Sequence, residues 1–379
     1  MIKQAYITRI SKYLPHDPIS NDEIEKVLGY VNDQPSKSRA IVLRNNGIKT
    51  RHFAIDKQGN FTHNNVQLTC EAISRLVNEQ EIQEVDLLAC GTSSPDQMMP
   101  SHGLMVHGEL TYAPSFEVVS PAGNCCSSMH GLKYAFNSIR VNDAKKAIVT
   151  GSESFARRMQ ASNFVEEIDK LRELEENPYI AFEKDFLRWM LSDGAAAVLV
   201  EDKPNENGIS LRIDSIDMCS YAQRYETCMY MGGDKNPDGS FKGYLEFTNQ
   251  EIIAEGVFAV KQDVKLLRPN IVAQGFEKLA DVIKRDNLSP DQIDWFLPHM
   301  SSEFFRKPIE ETLKAHHFEI PQEKWFTNLT KVGNVGSASP FLMLEEMMNE
   351  NMLKKGQRIL IAVPESARFT YAFVFITVV

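Results

Sequence analysis

The chain has 379 residues, of which 43% are hydrophobic and 24% charged, a balance that fits a soluble globular enzyme and excludes fibrous and disordered classes. Lys plus Arg number 41 and Asp plus Glu 51, a net charge of −10 without long single-sign blocks. A nucleic-acid partner is therefore disfavoured, because phosphate neutralisation needs a basic face. No apolar run approaches the roughly 18 residues of a membrane span; the longest are Ala195 to Val200 and Tyr371 to Val379. The start, MIKQAYITRI, alternates like a first strand and lacks the features of a signal peptide, so a cytoplasmic location is expected. The six cysteines (Cys70, Cys90, Cys125, Cys126, Cys219 and Cys228) show neither a disulfide framework nor zinc-ligand spacing, and no metal is expected.

At about 150 residues per domain the length predicts two domains or two halves of one, and the elements in chain order repeat a pattern twice. In the first half, strand AYITRI precedes a helix over Asn21 to Val31 and another over Val66 to Gln80. Strand VDLLACGTSS follows, then a helix over Cys125 to Asn142, then strands KAIVTGSES and GAAAVLVED. In the second half, ISLRIDSIDM takes first place, with helices over Gly256 to Val264 and Gly275 to Asp286. Strand IDWFLPHMSS stands where VDLLACGTSS stood, a helix over Pro340 to Asn351 comes next, and RILIAVPES and YAFVFITVV close the half. Short β-rich runs alternating with helices predict buried sheets covered by helices. The boundary falls at the polar, turn-forming DKPNENG, giving halves over residues 1–202 and 208–379. Two stretches stand outside the repeat. Met159 to Trp189 contains the charged amphipathic helix VEEIDKLRELEEN, read as a surface helix or a cap over a substrate entrance, and Cys228 to Gly243 reads as an exposed loop.

The segment PAGNCCSSMHGLKYAF places two cysteines at the start of an apolar-periodic helix. A thiolate is a nucleophile, and a helix N-terminus favours it through unpaired N–H groups and the positive end of the dipole. FLPHMSS puts His299 just past a strand end, and KVGNVGSASP puts Asn334 in a Gly-rich loop before a helix. Ligand sites of α/β sheets gather at such C-terminal strand ends, so one pocket could collect all three.

These motifs carry a resemblance spanning nearly the whole chain. GNCCSSMHGLKYAF, KKAIVTGSE, DGAAAVLV, LPHMSS, GNVGSAS, SKYLP and GIKTRH, in this order, resemble the ketoacyl-ACP synthase III (FabH-like) family of the thiolase superfamily. The resemblance implies a five-layered αβαβα fold of two similar halves and catalysis by Cys125, His299 and Asn334. Cys125 is preferred over Cys126 because it stands 151 − 125 = 26 residues before Gly151, as the family's nucleophile does. The implied reaction is ping-pong: Cys125 accepts an acyl group from a thioester, and a malonyl or 3-oxoacyl thioester then attacks it in a Claisen condensation. The backbone N–H groups of Cys125 and Ala367 would hold the oxyanion, and His299 with Asn334 would polarise the second thioester. Acyl-CoA or acyl carrier protein would be the partner, on a local basic patch, with no other cofactor; Arg44, Arg51 and Arg306 lie on segments that could meet a pantetheine phosphate. A homodimer is implied by the family.

The pattern also departs from the family. PESARFT replaces its Gly-rich segment and brings Glu365 and Arg368 beside the oxyanion hole; the tryptophan before GIxxRH is absent; and Ser302 stands where the family has a second Asn. No cysteine follows Cys228, which disfavours a thiolase, and Ser93 holds the place of the general-acid Glu of hydroxymethylglutaryl-CoA synthases. These departures resemble the specialised, DarB-like branch that joins an acyl thioester to a 3-oxoacyl thioester in dialkylresorcinol or flexirubin-type lipid synthesis. Fatty-acid initiation, a type III polyketide synthase and a non-catalytic partner subunit are the other readings.

Overall fold

The computed structural model describes residues 2–36, 39–161 and 187–379. The first half builds β1 (Tyr6–Tyr13), β2 (Leu87–Thr92), β3 (Glu117–Val119), β4 (Lys146–Glu153) and β5 (Gly194–Glu201); the second builds β6 (Leu211–Ser220), β7 (Trp295–Pro298), β8 (Arg358–Glu365) and β9 (Thr370–Val378). Strand order is β3-β2-β4-β5-β1 in one half and β6-β9-β8-β7 in the other. The pairings repeat as well: β1 to β5 and β6 to β9 are antiparallel, β5 to β4 and β9 to β8 are antiparallel, and β4 to β2 and β8 to β7 are parallel. The halves meet at two register pairs, Tyr6 with Arg212 and Ile7 with Leu211.

The parallel strands β2, β4, β7 and β8 are buried on both faces, and their side chains sort into the layers above and below them. Between the halves lies one core. It takes Met129, Leu132 and Phe136 from α3 (Ser127–Arg140) and Phe341, Leu344 and Met347 from α6 (Ser339–Asn349), against Leu87, Val149 and Val198 on one side and Ile359, Ile361 and Val374 on the other. The opposite face of the first sheet, with Leu88, Ile148 and Leu199, packs on α1 (Asn65–Leu76) and α2 (His102–Glu109). The opposite face of the second, with Leu360, Phe373 and Phe375, packs on α4 (Val264–Asp286) and α5 (Arg306–Ala315). Helix, sheet, helix pair, sheet and helices make five layers.

Two expectations are corrected. Gly256 to Val264 is not a helix: it is a turn leading into a two-residue strand at Lys261–Gln262, and α4 begins only at Val264, capped by the Asp263 carboxylate on the Leu266 N–H at 2.9 Å. That helix runs unbroken to Asp286 through Pro269, because packing of its apolar face outweighs the single N–H that proline removes. Cys228 to Gly243 is not an exposed loop. Met229–Tyr230 pairs with Lys261–Gln262, Gly233–Lys235 pairs with Phe241–Gly243, and Cys228 is buried. The predicted helix VEEIDKLRELEEN and most of the predicted cap 159–189 lie outside the described residues, whereas Leu187, Arg188 and Trp189 are buried.

Candidate active site

Two close backbone approaches position the site. At the end of β2, a Cβ on Gly91 would lie 2.4 Å from the Ser128 N, so only glycine lets the first turn of α3 rest on that strand. At the end of β4, a Cβ on Gly151 would lie 2.4 Å from the Ser337 carbonyl oxygen, which brings the loop carrying Asn334 against the same sheet. The glycines of VDLLACGTSS and KAIVTGSES thus bring the helix that follows Cys125 and the Asn334 loop together.

Cys125 sits in the turn one residue before the α3 cap, partly accessible, on the wall of a pocket that also receives His299 and Asn334. Cys126 is fully buried and its Sγ donates to the Val363 carbonyl at 3.3 Å, away from the pocket. His299 follows β7, its backbone N–H donating to the Ala362 carbonyl at 2.8 Å. Burial pushes its imidazole down to about 4, so the ring is neutral near pH 7 and carries one N–H to donate. Asn334 is anchored on both sides of its peptide: its N–H donates to the Met190 carbonyl and its carbonyl accepts from Ser192 N, both at 2.9 Å. Its side-chain oxygen accepts from Gly336 N at 3.0 Å, which leaves the amide NH2 as the group offered to a ligand. The site therefore pairs a thiol with two hydrogen-bond donors.

The charge around the thiol works against ionisation. Burial pushes the Cys125 thiol up, and the carboxylates of Glu365 and Glu153 push it further. Glu365 sits at the N-terminus of α3, its Oε2 accepting from Asn124 N at 3.0 Å and Cys126 N at 2.9 Å. Burial also raises the Glu365 carboxyl, while these two N–H bonds hold it down. Glu153 is likewise raised by burial and held down by hydrogen bonds from Ser94, Ser93 and Ser337.

The remaining expected residues stand apart from the pocket. Ser366 lines it, but the adjacent Ala367 directs its carbonyl to Cys228 N at 2.9 Å and Met229 N at 3.2 Å. Arg51 does not face a ligand: it is wholly buried, donates to the Asn21 side chain at 2.7 Å and the Trp189 carbonyl at 2.5 Å, and is pushed down to about 9 by burial. That reading is corrected to a structural one, since a guanidinium so enclosed cannot reach a phosphate. Arg306 is tied to Glu303 at 2.6 Å and Gln322 at 3.1 Å, and Arg44 lies on the exposed side of the helix Arg39–Asn46.

The sequence reading missed the extent of the pocket. From Cys125 it continues between α4, α5 and the outer face of the second sheet, past Leu267, Ile271, Leu279, Phe296, Leu313 and Phe373, enclosing about 1140 Å³ of free space with its open mouth included. Gly275 helps to make this space, for a Cβ there would meet the Tyr371 ring at 2.9 Å. The i, i+4 spacing of Leu267, Ile271, Gly275 and Leu279 was the available signal.

Residues 283–367 match the family model described as 3-oxoacyl-[acyl-carrier-protein (ACP)] synthase III C terminal. A beta-ketoacyl-[acyl-carrier-protein] synthase III of Chlorobaculum tepidum is 24% identical over 376 residues, 98% of this chain and 99% of its own. The chain is a synthase III-like condensing enzyme. The architecture of this synthase-like chain is that of solved thiolase-like enzymes. The tetronic acid condensing enzyme AbyA1 superposes with a TM-score of 0.73 at 20% identity, covering 98% of this chain and 99% of that one. OleA of Xanthomonas campestris, solved with lauric acid and lauroyl-CoA, gives 0.74 at 15% identity over the whole of both chains.

Proposed function

We propose that the enzyme condenses a medium- or long-chain acyl group, carried as a thioester on Cys125, with a second thioester, in specialised lipid or polyketide synthesis of the dialkylresorcinol or flexirubin type. The observation that carries this reading is the apolar extension of the pocket beyond Cys125. An acetyl group needs no such space, whereas each methylene buried there contributes about 0.8 kcal/mol to binding. The long acyl ligands of the OleA structure on the same fold lend it support.

In this account Cys125 attacks the incoming acyl thioester, and its own backbone N–H, with one from the Ser366–Ala367 segment, holds the oxyanion. The second thioester then places its carbonyl between neutral His299 and the Asn334 amide, both donors, so that enolate charge develops on an oxygen already hydrogen-bonded. The carbanion attacks the acyl-Cys125 carbonyl, the thiolate leaves, and a carbon–carbon bond remains. Acyl-CoA and acyl carrier protein are the proposed donors, and no further cofactor is required.

We infer that it works as a homodimer. Among the described residues β3 is an edge strand paired only with β2, and Met98, Met99, Leu104, Met105 and Tyr134 lie exposed on segments around it, with Tyr134 donating to Glu117 on β3.

The function is tested by single-turnover product analysis. Acyl donors from two to sixteen carbons in length are offered first, on CoA and on carrier protein, followed by malonyl or 3-oxoacyl thioester. Products from medium or long donors with a 3-oxoacyl partner support the reading. Products only from acetyl donors and malonyl-carrier protein would replace it with fatty-acid initiation, and no product from any pair would replace it with a non-catalytic subunit.

A further inference from the structure

The two kinds of extender differ in what they demand of the protein. A malonyl thioester generates its carbanion by losing CO2, so the electron pair comes from a breaking C–C bond and no base is needed. A 3-oxoacyl thioester must lose a proton from C2, and a base must receive it. Among the described lining residues of the pocket none is a carboxylate, and His299, pushed down to about 4, is a weak base.

One lining residue nonetheless connects the pocket to a carboxylate. Ser93, on the turn after β2, shares the pocket wall with Cys125, His299 and Asn334. Its Oγ donates to Glu153 Oε2 at 2.7 Å. Glu153 ends β4 and is wholly buried behind that serine. Thr92 and Ser152 are register partners in the parallel pairing of β2 with β4, so Ser93 and Glu153 leave adjoining strand ends side by side. Oε2 also accepts from Ser94 Oγ at 2.7 Å, and Oε1 accepts from Ser337 N at 3.1 Å, on the loop that presents Asn334. The carboxylate thus has a fixed orientation, has no cationic partner among these contacts, and meets the pocket through a hydroxyl whose hydrogen already points towards it. A hydroxyl in that orientation can accept a proton on its lone pair and pass its own inward.

We propose that Ser93 and Glu153 form a proton relay that removes the C2 proton of a 3-oxoacyl thioester held beside Cys125. This rests on the condensation reading above and deepens it by naming the extender class. The C2–H bond breaks and its electron pair becomes the enolate, with charge on the thioester oxygen facing His299 and Asn334. The proton goes to Ser93 Oγ, the original hydroxyl proton goes to Glu153 Oε2, and Glu153 ends the step as a neutral acid. Burial raises the Glu153 carboxyl above its ordinary range, which makes it a stronger base than an exposed glutamate.

The test is hydrogen–deuterium exchange at C2 of a 3-oxododecanoyl-CoA probe in D2O, measured by mass spectrometry above the rate without enzyme. Acylation of Cys125 by dodecanoyl-CoA, followed on the same samples by intact mass, reports the state of the pocket. Wild type should accelerate exchange, and Ser93→Ala, which leaves the Ser94 and Ser337 contacts to Glu153 in place, should lose about 100-fold of that acceleration while still becoming acylated. Glu153→Gln should behave in the same way, and Ser93→Thr should restore exchange. The relay is overturned if acylated Ser93→Ala exchanges at the wild-type rate, or if acylated wild type does not accelerate exchange at all. Failure of wild type to be acylated would instead sink the proposed function.

Discussion

The carboxylate of Glu365 accepts the backbone N–H of Cys126 at 2.9 Å, at the end of the helix that a thiolate on Cys125 would draw upon. Each N–H it occupies is one fewer donor for sulfur, and its negative charge opposes a second one beside it. Glu365 therefore sets the electrostatics around Cys125. The resting enzyme keeps Cys125 as a thiol, raised by burial and then by Glu365.

Removing that charge should therefore activate the thiol. Glu365→Gln retains an oxygen to accept from Asn124 and Cys126 but loses the charge, so the pH profile of Cys125 alkylation by iodoacetamide should move to lower pH and the rate at pH 8 should rise several-fold. An unchanged profile would show that Glu365 does not act on the thiol.

Asn334→Asp preserves an oxygen for the Gly336 N–H and removes the donor amide. Condensation should fall by about 10²- to 10³-fold, the cost of one oxyanion donor, with acylation of Cys125 within threefold of wild type. Stopped-flow acylation and steady-state product formation, measured on one preparation, separate the two steps.

The neutral state of His299 links stability to acidity. Its pKa is near 6.5 in the unfolded chain and about 4 in the fold, so between these values the unfolded state binds more protons. The contribution is complete above pH 6.5 and is lost as pH falls towards 4, by about 3 kcal/mol. Urea unfolding of wild type and His299→Gln should show the difference between them shifting against wild type by that order from pH 7.5 to 4. His102, also depressed to about 4 by burial, is present in both proteins and cancels. A constant difference would contradict the burial argument.

Gly151→Ala should be among the most damaging single-methyl additions, because its Cβ would lie 2.4 Å from the Ser337 carbonyl oxygen and neither main chain can yield without moving the Asn334 loop. We expect a fall of several degrees or more in Tm by differential scanning calorimetry. Gly108→Ala, on a helix with open space around the new methyl, should be neutral or stabilising by up to about 1 kcal/mol.

What the sequence disclosed follows from which forces are local. The repeated strands were legible because VDLLACGT and IDWFLP are short apolar runs bounded by turn residues, and Cys125, His299 and Asn334 were legible because each stands in a motif at a strand or helix end. Pro269 concealed α4, since a breaker in sequence is tolerated where an apolar face is paid for by packing on the second sheet. Arg51 was misread because nothing local in GIKTRH tells of its enclosure by Asn21 and Trp189. Ser93 and Glu153 lie 60 residues apart, and only the register of β2 on β4 makes them neighbours. The apolar channel, likewise, exists only once α4 and α5 lie across the second sheet.

The central claim is that Cys125 carries the acyl group. Its most direct test is to incubate wild type, Cys125→Ala and Cys126→Ala with dodecanoyl-CoA, weigh the intact proteins, and locate any adduct by peptide fragmentation. The account predicts one dodecanoyl group on Cys125 in wild type and Cys126→Ala, and none in Cys125→Ala. An adduct on Cys126, or one that persists in Cys125→Ala, would contradict it.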